Sequence, residues 1–513
     1  MYADDAMTRS VVDQLFGRLA DMGAELNTVG DRGFMPRLAD RWEWATDSLS
    51  IAFHIDPGAR WHDGRPVTAR DVAFTYSLYT DPKVGSSVGP LLRSIDSVTA
   101  RDSATAVVWY KQRSPEQFFD AAFQLIIMPE HLFSSADRAS LRTHELATQP
   151  VGNGRFRFVR WDKGSTIEIV ADTANYRGRP KLDRVIWTIA PDFTAGVTRL
   201  LAGEADFYEF LRADNIIEVG KNPSLKTIPY PSLQYGFLTF NLKEAKNRKR
   251  PHAIFADREV RRALAMAVDR QKLVESVFGK LALPAIGPVS RALATADTTL
   301  QQIPYDVEGS KRILDSLGWK DTNGDGIREK GRRALEFGML VPSSSRSRAQ
   351  FAVLLQEAFR QVGAKVNVDL LEFTTVGARL KARDFETTLG VWQTDPSPGG
   401  VRQTWGIEGS RASDGSNLGS YESRAFDALV DTALTQMDVV KERAYFRRAY
   451  QMIIDDAPAI FLYEPRQTAG AHKRIMPANM RADSWWANLA DWSIPADQRI
   501  DRDRIGLRAP AAP

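Results

Sequence analysis

The sequence predicts an α/β fold in which helices cover the faces of a largely parallel sheet. Three observations predict it. Residues 346–362 place Phe351, Leu354, Leu355, Ala358, Phe359 and Val362 at i, i+3, i+4, i+7, i+8 and i+11, the apolar stripe of an amphipathic helix. Val366 and Val368, and then residues 387–392, read as short strands, so helix and strand alternate through this part of the chain. The chain has 513 residues, 43% of them hydrophobic and 26% charged, which suits a soluble globular protein of several domains with ample cores.

From the N-terminus, residues 7–19 read as a helix. Ile51-Ala52-Phe53-His54-Ile55 alternates like a half-buried strand, and Pro57-Gly58 and Asp63-Gly64 supply turns. Thr68-Ala69-Arg70-Asp71 has the form of a capping box and opens a helix running to about Tyr79. Ala106-Val107-Val108-Trp109-Tyr110 is a further strand. Phe156, Phe158 and Trp161 lead into a turn at Asp162-Lys163-Gly164, and Ile167 and Ile169 alternate back, which is a hairpin. Gly152-Asn153-Gly154 precedes that strand and opens no helix, so its amides cannot converge on a phosphate. Asp257 caps a helix carrying Val260, Leu264, Ala267, Val274 and Val277 on one face. Gly363 ends the 346–362 helix as a left-handed cap. The tail, residues 508–513, reads as disordered.

Composition excludes several functions. The chain has no cysteine, so disulfides, thiolate zinc sites, cysteine nucleophiles and a lipid-anchoring cysteine are all absent. The six histidines, at 54, 62, 131, 144, 252 and 472, lack zinc-ligand spacing. The formal charge is +4, with 68 basic residues interspersed among 64 acidic ones. The one dense basic run, Lys246-Asn247-Arg248-Lys249-Arg250-Pro251-His252, holds no aromatic residue for base stacking and reads as a solvated loop. Asp321-Thr322-Asn323-Gly324-Asp325-Gly326-Ile327 starts like a calcium loop, but Arg332 stands where the bidentate glutamate belongs. It reads as a polar turn. Ser343-Ser344-Ser345 reads as a loop before a helix, not as a nucleophile.

Short segments also recur in a familiar order. They begin with Pro36-Arg37-Leu38-Ala39-Asp40-Arg41-Trp42-Glu43 and Trp61-His62-Asp63-Gly64-Arg65-Pro66-Val67-Thr68-Ala69-Arg70-Asp71-Val72. Pro150-Val151-Gly152-Asn153-Gly154-Arg155-Phe156 and Asn175-Tyr176-Arg177-Gly178-Arg179-Pro180-Lys181-Leu182-Asp183 follow. Then come Glu259-Val260-Arg261-Arg262-Ala263-Leu264 with Asp269-Arg270, Leu317-Gly318-Trp319, Trp392-Gln393-Thr394-Asp395 and Phe426-Asp427-Ala428-Leu429. In this order, over residues 36–463, they resemble the extracytoplasmic solute-binding proteins of the oligopeptide, dipeptide and nickel class (family 5), which feed ATP-driven importers.

The resemblance implies a two-lobed, periplasmic-binding-protein-like (type II) fold, with a hinge and an extra domain inserted in the first lobe. The base lobe would take 1–36, 149–243 and 468–513, the inserted domain 37–148, and the second lobe 244–467. The chain would cross the hinge near Thr239-Phe240-Asn241 and Tyr463-Glu464. It implies a monomeric receptor and not an enzyme. That receptor would carry no cofactor, resident metal or nucleic acid, and would hand a peptide or similar solute to the permease subunits of an ABC transporter. A sugar, opine, haem or metal chelate is the alternative solute. A peptide hydrolase and a nucleic-acid or anionic-surface binder are the competing classes. The family is periplasmic or extracytoplasmic. Residues 1–17 show no export signal, and the expectation is that such a segment has been removed or omitted.

The candidate site follows from one strand end. Residues 389–392 read as a strand that Asp395-Pro396-Ser397-Pro398-Gly399-Gly400 cannot continue, and open α/β sheets bind ligands beyond the carboxyl ends of their strands. The resemblance implies that Asp395 pairs with a ligand's α-amino group; a helix cap or Asx-turn before proline is the alternative. Trp392 would stack along the ligand or fill the core. Trp405 and Trp485-Trp486 are candidate cleft walls. Arg346, Arg379, Arg383 and Arg402 are candidates for a ligand carboxylate.

Overall fold

A computed structural model describes residues 6–245, 247–412 and 415–504, so the predicted disordered tail and Lys246 fall outside the described residues. The chain forms two compact units: Met1–Pro231 with Thr468–Pro513, and Ser232–Gln467.

In the first unit, α1 (Ala6–Leu15) is shorter than the sequence suggested. A four-stranded antiparallel sheet is built from β1 (Ala39–Trp44), β2 (Ser50–Ile55), β3 (Ile95–Ala100) and β4 (Thr105–Tyr110), in the order β1-β2-β4-β3. The helix α2 (Ala69–Tyr79) begins where the capping box placed it, and Asp71 accepts the Thr68 backbone N–H at 2.8 Å. The predicted hairpin is β5 (Phe156–Asp162) and β6 (Thr166–Ala171), extended by β7 (Arg184–Thr188). Its inner face packs Phe156 and Ile169 against Val11 and Leu15 of α1.

The second unit is organised by a six-stranded sheet. Its members are β8 (Gln234–Phe240), β9 (Ala282–Pro284), β10 (Glu336–Pro342), β11 (Lys365–Leu371), β12 (Thr387–Gln393) and β13 (Ala459–Pro465). The order is β9-β13-β8-β12-β10-β11. Here the expectation of a largely parallel sheet is corrected. Only β10-β11 and β10-β12 run parallel; β8 is antiparallel to both β12 and β13, and β9 to β13. The reason lies in the connections. The contiguous stretch β10, α3 (Arg346–Arg360), β11, α4 (Phe373–Lys381), β12 makes strand–helix–strand crossovers, which enforce parallel pairing. The strands β8, β9 and β13 arrive from elsewhere in the chain and have no such constraint.

The division of the chain falls at Pro231/Ser232, twelve residues before the expected 243/244 boundary, because β8 is a central strand of this sheet. Residues 239–240 and 463–464 lie in β8 and β13 of this sheet. The helix expected from Asp257 is also corrected. It is two helices, Arg258–Met266 and Arg270–Phe278, and the second is capped by Asp269, which accepts the Lys272 N–H at 3.1 Å. A short polar side chain that offers an N-cap competes with helix continuation.

Two buried arginines from the Glu259–Arg270 segment hold the fold. Arg261 donates to the carbonyls of Phe255, Asp456 and Ala457 at 2.7, 2.5 and 3.0 Å. Ala457 itself sits in the left-handed region at φ 46°. Arg270 donates to Phe461 and Ile303 carbonyls at 3.1 and 2.7 Å. Burial pulls both guanidinium pKa values down to about 10. They remain charged at neutral pH and are satisfied by backbone oxygen alone.

Candidate ligand-binding site

The strands β10, β11, β12 and β13 point the same way, so Pro342, Leu371, Gln393 and Pro465 end at one edge of the sheet. The segments that leave this edge carry its chemistry. From β10 come Ser343, Ser344 and Arg346, all exposed. From β11 comes Glu372, which caps α4 by accepting the Thr374 N–H at 2.7 Å, next to the exposed Phe373. From β12 comes Asp395.

Local hydrogen bonding fixes where Asp395 leaves the sheet. The Thr394 backbone N–H and hydroxyl both donate to the Leu233 carbonyl at 2.9 Å, pinning the chain to the start of β8. Asp395 follows and is exposed. The helical turns beyond it, Pro398–Gly400 and Val401–Trp405, have Ser397 and Gly400 at their N-cap positions, so Asp395 is the N-cap of neither. Trp392 is partly buried and lies directly across from Tyr235. It thus shares a sheet face with Tyr235, whose neighbours on that face include Phe237 and Phe461.

Trp405 is the interior of this cluster. It is 3% exposed, its Nε1–H donates to Tyr235 Oη at 3.0 Å, and it meets Phe237 and Phe461 edge-on. That placement replaces the expected cleft wall with a buried brace, because an indole with its N–H satisfied and its faces packed has no surface left for a solute. Trp485 and Trp486 are likewise engaged in the first unit. Trp486 donates to Asp13 at 2.8 Å, and Trp485 packs on Phe207 and Trp492. On the other face of the sheet, Gly236 lies under the Tyr463 ring. A Cβ there would stand 2.3 Å from it.

The arginines separate. Arg383 precedes β12 whereas Asp395 follows it, so the seven-residue strand holds them roughly 23 Å apart. Arg383 is 7% exposed, occupies the left-handed region at φ 58°, and donates to the Gly415 carbonyl at 2.8 Å. Burial, together with the neighbouring Arg248, lowers its pKa. It therefore cannot meet the far end of a small solute anchored at Asp395. Arg402 is paired with Asp431, and Arg379 with Asp369 and Asp384. Arg346 opens α3 at the same edge as Asp395, one strand away. Sequence reasoning missed two groups there. Arg348 lies in the same first helical turn, and buried Glu464 accepts the Ile286 and Arg291 N–H groups at 3.1 and 2.9 Å and the Arg291 guanidinium at 2.6 Å. Burial raises the Glu464 pKa. No local pattern marks a glutamate as buried; its long-range partner, Arg291, does.

The Asp321 loop is a turn. Its carboxylate accepts the Gly324 and Gly326 N–H groups at 2.7 and 2.9 Å, and Asp325 accepts that of Ile327 at 2.8 Å. No helix of the described residues is long and apolar enough to cross a membrane.

Comparison with known proteins assigns the class. The oligopeptide-binding protein AppA of Bacillus subtilis is 26% identical over 504 residues, covering 95% of this chain and 88% of that protein. Its structure in complex with a nonapeptide superposes with a TM-score of 0.71 at 25% identity, covering 96% and 95% of the two chains. NikZ of Campylobacter jejuni, solved with Ni(L-His), shares the fold with a TM-score of 0.74 at 22% identity, covering 96% of each chain. Heme-binding protein A of Haemophilus influenzae is 24% identical, covering 87% of this chain and 81% of that protein. The fold is thus that of the type II periplasmic binding proteins. Residues 33–411 match the bacterial extracellular solute-binding proteins, family 5, and the chain belongs to that family. It is a receptor for a peptide or similar solute in an ABC import system.

Proposed function

We propose that this protein captures a peptide with a free α-amino group at the carboxyl edge of the second unit's sheet and delivers it, as a monomer in an extracytoplasmic compartment, to a membrane permease. It binds without turnover. The observation that carries the reading is the exposed carboxylate of Asp395, held at the end of β12 by Thr394, with Trp392 three residues earlier on that strand. A charge-assisted hydrogen bond to an ammonium group is about twice as strong as a neutral one, and it is indifferent to the peptide's side chains. Trp392 adds apolar contact without a sequence requirement. Arg346 and Arg348, one strand over, supply positive charge for a ligand carboxylate.

The test is calorimetric. Asp395→Asn should weaken a free-amine peptide roughly 10- to 100-fold, the equivalent of about 1.5–3 kcal/mol for a hydrogen bond to a charged group. Binding of the N-acetylated peptide should be nearly unchanged. Equal losses for both would remove Asp395 from the amine role. Native mass spectrometry of freshly purified protein identifies the natural solute, and a haem, sugar, opine or metal chelate in place of a peptide would replace the peptide reading.

A further inference from the structure

Within the first unit, the Gly152-Asn153-Gly154 segment is a junction. The Asn153 and Gly154 N–H groups both donate to the Leu15 carbonyl, at 2.9 and 2.8 Å, and Asn153 Oδ1 accepts the Gly17 N–H at 2.6 Å. The contact is too close for any side chain. A Cβ on Gly152 would lie 1.8 Å from the Leu15 oxygen, and one on Gly154 would lie 2.1 Å from that of Gln14. Asn175 donates to the Gly154 carbonyl at 2.9 Å. The opposite side is closed by His62, from the turn that follows the β1–β2 pair.

His62 holds this segment by three hydrogen bonds. Its backbone N–H donates to the Gly152 carbonyl at 2.7 Å. Its ring Nδ1 faces the Gly152 N–H at 3.2 Å, and its Nε2 faces the Gly154 carbonyl at 3.0 Å. An N–H opposite Nδ1 and a C=O opposite Nε2 admit one protonation state only: neutral imidazole with the proton on Nε2. A second proton on Nδ1 would point a donor at a donor and leave the Gly152 N–H without an acceptor.

We propose that His62 is a proton-operated latch, closed when neutral, that ties the 37–148 region to the α1–β5 junction and releases it on protonation. The charged groups facing the ring are mixed. Asp172 and Asp63 favour the proton; Arg157, which also donates to the His62 carbonyl, opposes it. Asp63 is itself engaged by His131 at 2.7 Å. Burial is the largest influence and leaves the His62 pKa below its ordinary value. The sign follows. An opened latch takes up a proton near the ordinary imidazole value of about 6.5, whereas the closed one resists until lower pH. Opening is therefore favoured as pH falls through that interval, by up to about tenfold per pH unit.

Hydrogen exchange on the full chain, corrected for the intrinsic pH dependence of exchange, reads this directly. In the wild type the amides of 152–154 should lose protection between pH 7 and 5, approaching tenfold per unit. In His62→Gln, which keeps a donor and an acceptor but cannot titrate, the profile should be flat. A flat wild-type profile, or equal slopes in both proteins, overturns the latch. Nitrogen-15 spectra of the wild-type imidazoles supply a check that needs no variant: His62 should be the Nε2–H tautomer with a midpoint below 6.5. A midpoint above that value, or the other tautomer, also overturns it.

Discussion

The two edges of the second unit's sheet use polar residues in opposite ways. At the edge where β12 begins, Asn241 and Glu386 are tied to neighbouring segments by hydrogen bonds. Asn241 is fully buried; its amide donates to the Arg383 and Phe385 carbonyls at 3.2 and 2.9 Å, and its oxygen accepts the Lys243 N–H at 3.2 Å. Glu386 accepts from His252 at 3.2 Å and from the Gly338 N–H at 2.7 Å. At the edge where β12 ends, Asp395, Arg346, Ser343 and Ser344 are exposed. One sheet thus has an edge that maintains the fold and an edge open to ligand. Breaking the first should cost stability, and breaking the second should cost affinity. Asn241→Ala tests the former most severely. It strips buried carbonyls of their donor and should lower unfolding stability by about 2–4 kcal/mol. Denaturant titration measures the loss, and peptide affinity of the folded fraction should not change.

Asp395→Asn is the mirror experiment. Its affinity loss for a free-amine peptide should come with a stability change within about 0.5 kcal/mol, as for other surface substitutions. If the denaturation midpoint instead shifts as far as in Asn241→Ala, the two edges do not differ in kind.

How much of this was legible in the sequence depends on the reach of each signal. The Thr68/Asp71 cap, the β5–β6 hairpin and the stripe of α3 are local, and the structure has them where the spacing put them. The mixed sheet was not legible, since β8 and β13 pair across more than 200 residues of chain and share no crossover motif. Asp395 could be placed at a strand end because the prolines after it forbid extension. Arg383 also lies close to β12 in sequence but at its other end, and a list of nearby arginines cannot tell the two ends apart. Trp405 shows the same limit: a buried indole and a ligand-facing one look alike until the Tyr235 hydroxyl is seen across from it.

Smaller effects sharpen the contrast. Arg402 and Asp431 form an ion pair with both side chains substantially exposed, so Arg402→Ala should change stability by no more than about 1 kcal/mol. Its effect on peptide affinity should be within twofold. A loss as large as that of Asp395→Asn, measured by the same calorimetry, would bring Arg402 into the site.

The subtlest difference is in pH dependence, and it concerns Glu386. Burial pushes its pKa up, but the bonds from His252 and the Gly338 amide outweigh that and leave it below the ordinary 4.5. A carboxylate depressed in the folded state contributes stability that is fully present above 4.5 and fades as pH falls through its lower folded value. The wild type should therefore lose stability below about pH 4.5 more steeply than Glu386→Gln, whose amide cannot titrate. Parallel acid limbs in the two denaturation profiles would mean that the edge where β12 begins draws its stability from the Asn241 bonds and not from this charge.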